Sequence, residues 1–133
     1  MGTISSLRNK SRSNKEAALL LFNNEYYNSS VHCFYYSCLQ LSIVILISKF
    51  NLTYDFLKQE AKENGQNSNH YYVNKLMICI EDEEISRDYG NTMTSLKSLR
   101  KQADYDPIKI EKSTCNVANT YLTDIENILN QIQ

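Results

Sequence analysis

The stretch from Asn28 to Ser48 contains no Gly, Pro, Asp, Glu, Lys or Arg, and a chain of this size has few ways to accommodate it. Within it Val31, Phe34, Tyr35, Cys38, Leu41 and Ile45 recur at the three- and four-residue steps that place side chains on one helical face. From Ile43 to Ile47 every position is apolar, which suits a helix covered by neighbours on several sides. The spacing therefore predicts a central helix around which everything else packs. Its length approaches the roughly 20 residues that span a bilayer. However, Asn28, Ser29, Ser30, His32, Ser37, Gln40 and Ser42 fill its first half, so the run is read as a core helix, with no membrane partner.

The remaining composition points the same way. With 133 residues the chain has the length of one domain and can bury a real core. A single proline and three glycines are too few for a β protein, which needs a turn at every strand end. An all-α fold is expected, with residues 1–12 as a flexible N-terminal arm and residues 13–133 as one helical bundle. The formal charge of −1 excludes a globally basic nucleic-acid binder and leaves only local patches. Cys33, Cys38, Cys79 and Cys115 form no C-x-x-C pair, so neither a disulfide framework nor a metal site is expected. The N-terminus carries Arg8, Lys10, Arg12 and Lys15, but the apolar block Ala17–Phe22 is short and lacks a cleavage site. It does not read as a signal peptide, and a cytoplasmic location is expected.

Along the chain, Ser13 or Asn14 is the expected cap of a short first helix ending near Asn23 and Asn24. After the central helix, Thr53 caps a short amphipathic helix, and the polar run Asn64–Asn69 reads as a loop. Tyr72, Val73, Leu76, Met77 and Ile80 step along a further helix that ends in the solvated acidic run Glu81–Glu84. From about Asp88 another helix sets Tyr89, Met93, Leu96 and Leu99 on one face, with Lys97, Arg100 and Lys101 on the other. Pro107 marks the break before a last helix carrying Ala118, Tyr121, Ile125, Ile128 and Ile132 at bundle spacing.

The polar cluster from Arg100 to Pro107 is the best candidate site, because it sets a guanidinium, a carboxylate and a phenol within about a turn and a half of helix. Arg100 and Asp104 are spaced to pair. Two readings follow. In one, Arg100 pairs with Asp104, and with Tyr35 or Tyr36, and fastens one helix to the bundle. In the other, Arg100 with Lys97 and Lys101 holds a phosphate or an RNA backbone. His32 lies on the central helix, within possible reach of Arg100. No Gly-rich phosphate loop, nucleophile elbow or paired-carboxylate motif is present, and no cofactor is expected.

Several of these residues carry a family resemblance. Tyr35-Tyr36 lies in a long helix after an Ala/Leu-rich one, and His70 opens a later helix. Arg-x-x-Ala-Asp-Tyr follows at 100–105, then Ala-x-x-Tyr at Ala118–Tyr121. In this order, over about residues 14–132, the chain resembles the HEPN domain superfamily, in particular its small stand-alone prokaryotic members. The resemblance implies an antiparallel four-to-five-helix bundle, usually a homodimer. Such domains are often encoded beside a nucleotidyltransferase-like partner or within toxin-antitoxin, stress and defence modules. It further implies RNA or nucleotide binding, with Arg100, Lys97, Lys101, Asp104, Tyr105, His32, Tyr35 and Tyr36 as candidate contacts. The alternative is a non-catalytic homodimeric interaction module that regulates a neighbouring protein. Many HEPN domains are metal-independent ribonucleases with Arg followed after four to six residues by His. Here Arg100 is followed at the shortest such spacing by Tyr105. A phenol stays protonated at neutral pH and is a poor substitute for an imidazole that must exchange a proton.

Overall fold

A computed structural model describes residues 2–65 and 67–132. Among them lie six helices and no strand: α1 (Gly2–Asn23), α2 (Tyr27–Lys49), α3 (Tyr54–Glu63), α4 (Ser68–Cys79), α5 (Glu83–Tyr105) and α6 (Lys112–Asn130). They pack as an all-α bundle of six helices, where four or five were expected.

α2 is the core of the bundle, in contact with α1, α4, α5 and α6. Val31, Phe34, Tyr35, Cys38, Val44 and Leu46 are fully buried on it. Among the described residues it is the one helix long and apolar enough to cross a membrane, but two thirds of its most apolar window is buried inside the bundle. Its buried seryl groups, Ser30, Ser37 and Ser42, are satisfied internally. Ser42 Oγ donates to the Cys38 carbonyl at 2.8 Å and accepts from the buried Tyr89 hydroxyl of α5 at 2.7 Å, so neither polar group is stranded in the core.

α1 and α2 form a tight antiparallel hairpin. Ser11 and Ser37 each donate a hydroxyl to the other's backbone carbonyl at 2.8 Å, and Ser30 donates to the Ala18 carbonyl at 2.7 Å. Only small side chains let two helix backbones approach so closely. This seam explains a difference from expectation. From Gly2 onward, the residues read as a flexible arm are the first half of α1, with Leu7 and Ser11 buried. Ile4 and Leu7 are the only large apolar residues among them, and seryl side chains make the remaining contact, so the apolar pattern is too sparse to read as a helical period. Helix there depends on packing more than on propensity.

The other boundaries follow local chemistry. Thr53 caps α3 by accepting from the Phe56 amide at 3.1 Å. Asn67 caps α4 by accepting from the Asn69 amide at 2.9 Å, which shortens the expected loop; Gln66 lies outside the described residues. α5 starts at Glu83, ahead of the expected Asp88. Asp82 caps it by accepting from the Ile85 amide at 3.0 Å, and Glu83 and Glu84 face the positive end of the helix dipole. The acidic run is thus a helix start. Where α5 crosses α4, the end of the Met77 side chain lies against Gly90 and would have to shift to admit a Cβ there.

α5 runs antiparallel to α2, pairing Tyr89 with Ser42 at one end and Asp104 with His32 at the other. The last turns of α5 are tied down by Asn28, whose side-chain amide donates to the Ala103 carbonyl at 2.9 Å and accepts from the Ile110 amide at 3.0 Å. One residue thereby fixes both α5 and the connection past Pro107 onto the start of α2.

Candidate functional site

That clamp brings the polar end of α5 against one face of α2, where His32 and Tyr36 are one turn apart. Arg100 points inward and is only 7% exposed. Its guanidinium carbon lies 5.1 Å from the centre of the Tyr35 ring and 5.8 Å from those of Tyr36 and Tyr105. Its Nη1 donates to Asp104 Oδ2 at 3.4 Å, the i,i+4 pair read from sequence. Buried charge is unfavourable by itself, but Tyr36, Tyr105 and Asp104 outweigh that penalty and push the guanidinium pKa up. Two buried polar atoms, Arg100 Nε and the Tyr35 hydroxyl, have no hydrogen-bond partner among the described residues. Burial raises Tyr35 to about 12, against the opposing charge of Arg100.

Asp104 joins this buried guanidinium to the surface. Its Oδ2 accepts from His32 Nδ1 at 2.9 Å, and Oδ1 lies 3.2 Å from the same nitrogen. The His32 side chain is 46% exposed, that of Asp104 21% and that of Arg100 9%. From inside outward the order is therefore guanidinium, carboxylate, imidazole. The carboxylate fixes the tautomer, leaving Nε2 of His32 as the outer nitrogen, with no partner among the described residues. The imidazole also packs on Tyr36, with ring centres 4.7 Å apart. The Tyr36 hydroxyl accepts from the Asn69 side chain at 3.5 Å.

All eight candidate residues belong to this region, in different roles. Arg100 and Tyr35 form its inner part, Asp104 connects them to the surface, and His32, Tyr36 and the 74%-exposed Tyr105 surround the outer part. Lys97 is half-buried, and burial, followed by repulsion from Lys101 and Arg100, lowers its pKa. Lys101 is exposed. The cation expected to meet a phosphate, Arg100, is the one least able to reach solvent. His70 stands apart on α4, hydrogen-bonded to Asn74 at 2.9 Å.

Sequence reasoning missed the neighbours that shape the surface. Asn28, Ser29 and Cys33 of α2, with Ala103 of α5, line a hollow of about 390 Å³ beside His32 and Asp104. Burial, and then the Asp104 charge, raise the Cys33 thiol pKa. A lone Asn or Ser at a helix start carries no sequence signal of such a role. No described group of three or more His, Cys, Asp or Glu side chains is placed to hold a metal ion.

No family model, curated protein or solved structure matches the chain. The HEPN resemblance therefore rests on the quoted residues alone.

Proposed function

We propose that the protein is a small HEPN-like, cytoplasmic RNA- or nucleotide-binding protein of a prokaryotic stress or defence module, whose ligand meets the His32 side of the site. One observation carries this reading: the imidazole is held by Asp104 at 2.9 Å, with its outer nitrogen on an exposed side chain and without a partner among the described residues. An oriented, accessible imidazole of this tautomer presents Nε2 as an acceptor that can take a proton from a bound hydroxyl, and once that nitrogen is protonated it donates to phosphate. Lys101 and the Tyr105 hydroxyl add exposed donors on the neighbouring helix. Arg100 acts from beneath as a positioning residue, holding the carboxylate that holds the imidazole. Binding of labelled RNA and of nucleotides to His32→Asn and Lys101→Gln variants tests the reading. Each change should weaken binding about tenfold while the melting temperature stays within a degree or two. Undiminished binding in both variants would remove the site.

A second reading is favoured by the burial of Arg100 and by two exposed apolar side chains at this end, Tyr105 at 74% and Ile108 at 73%. Here the cluster fastens α5 to α2, and the surface beside it serves a homodimer or a neighbouring protein. Light scattering of the parent and of Tyr105→Ser/Ile108→Ser separates the two. A dimer that dissociates in the double variant supports the interaction module, and a monomeric parent argues against it.

A further inference from the structure

The first fifteen residues hold Arg8, Lys10, Arg12 and Lys15 and no carboxylate, in a chain whose net charge is −1. Folding α1 gathers three of these cations on one face. Arg8, Arg12 and Lys15, with Ser11, Ser37, Leu41 and Glu126, line a hollow of about 230 Å³ between α1, α2 and α6. Lys15 is held across it by Glu126, at 3.0 and 3.1 Å from the two carboxylate oxygens. The two arginines are not neutralised in this way. Among the described residues Arg8 has no hydrogen-bond or ion-pair partner, and Arg12 makes only a 3.4 Å contact to the Asn9 side chain. The floor of the hollow contains the Ser11 and Ser37 hydroxyls. Arg8, Arg12 and Lys15 extend over about 10 Å of helix, more than one phosphate group spans.

We propose that this face of α1 binds the phosphodiester backbone of a single-stranded nucleic acid. The proposal goes beyond the reading above: it shares the kind of ligand but uses none of the same residues. Two unpaired guanidiniums one turn apart, beside an anchored ammonium, match successive phosphates along a strand, which need charge and donors but no base recognition. An anionic membrane is the less suitable occupant. An interfacial helix must offer an apolar face to the bilayer, whereas Leu7 on this half of α1 is buried against the bundle and Leu41 is the only apolar residue lining the hollow.

The test is fluorescence anisotropy with a labelled oligouridylate of about 20 nucleotides, repeated over a range of salt. Four proteins are compared: the parent, Arg8→Gln/Arg12→Gln, His32→Asn and the triple variant. Arg8 and Arg12 are exposed, so the folded state of the double variant is checked by its melting temperature. The double variant should bind at least tenfold more weakly, and its salt slope should be shallower by about 1.4, for two phosphate contacts on a single strand. Unchanged affinity and slope in a folded double variant would overturn the proposal, as would a parent that binds no oligonucleotide. Anionic vesicles bound through Arg8 and Arg12 in place of RNA would overturn it too. Loss of binding in the double variant but not in His32→Asn would support this face and remove the His32 site; the converse result would do the opposite.

Discussion

Replacing Arg100 by alanine separates anchoring from ligand binding, and the structure sets the size of the expected effect. Arg100 is 7% exposed, and its guanidinium lies against Tyr35 at 5.1 Å and Tyr36 at 5.8 Å. Desolvated contacts of this kind contribute up to about 2 kcal/mol. The hydrogen bond to Asp104 is long, at 3.4 Å, and Asp104 keeps His32 as a partner, so its loss should cost only about 1 kcal/mol. A void beside the buried Tyr35 ring adds roughly a further kcal/mol. The sum is about 3 kcal/mol, with a range of about 2–4. For a domain of this size that lowers the melting temperature by roughly 10 °C. Urea denaturation followed by circular dichroism measures it directly. Arg100→Lys should fall between the parent and Arg100→Ala, because it keeps charge but loses the planar face on the tyrosines. His32→Asn, at a side chain 46% exposed, should cost less than about 1 kcal/mol. Arg100→Ala within about 0.5 kcal/mol of the parent would refute the anchoring argument. If that same variant lost RNA binding, Arg100 would serve the ligand site, by direct contact or by positioning Asp104 and His32, and not the stability of the bundle.

Other consequences are open to direct measurement. Tyr105→His restores the Arg-x4-His spacing on a side chain 74% exposed, so stability should change by less than about 0.5 kcal/mol; gain of RNA cleavage in chelator would show that the scaffold lacks only a proton carrier, and none would count against a nuclease geometry. Burial raises Tyr35 to about 12 and also raises Tyr89 and Tyr71. These phenols are neutral in the folded state and titrate near pH 10 once unfolded, so their contribution is complete below about pH 10 and is lost as pH rises through the folded value. Tyrosinate absorbance should accordingly rise in two stages, the second together with loss of helix; a single stage near pH 10 with helix intact would contradict this. Ser37→Ala removes one of the reciprocal bonds of the α1–α2 seam and should cost about 1 kcal/mol, whereas Ser37→Leu forces the helices apart and should cost about 2–4. Equal denaturation midpoints for the two would show that the close approach is not required.

By itself the sequence determined the all-α class, the central helix and most of the helix punctuation. These depend on local chemistry: the uncharged run at 28–48, the Thr53 cap and Pro107 act through their own backbone neighbours. The pairing of Arg100 with Asp104 was legible for the same reason, since four residues on one helix fix the separation. Only the tertiary structure decided the rest. Residues 2–12 become helical because Ser11 and Ser37, 26 positions apart, bond each other across a seam of small side chains. His32 reaches Asp104 across 72 positions because Asn28 clamps the end of α5 onto α2. The antiparallel crossing then turns Arg100 inward among the tyrosine rings and leaves the imidazole outside. Periodicity reports which face of a helix is apolar, but which polar residue on the opposite face is buried depends on the neighbouring helix, and that contact has no local signature.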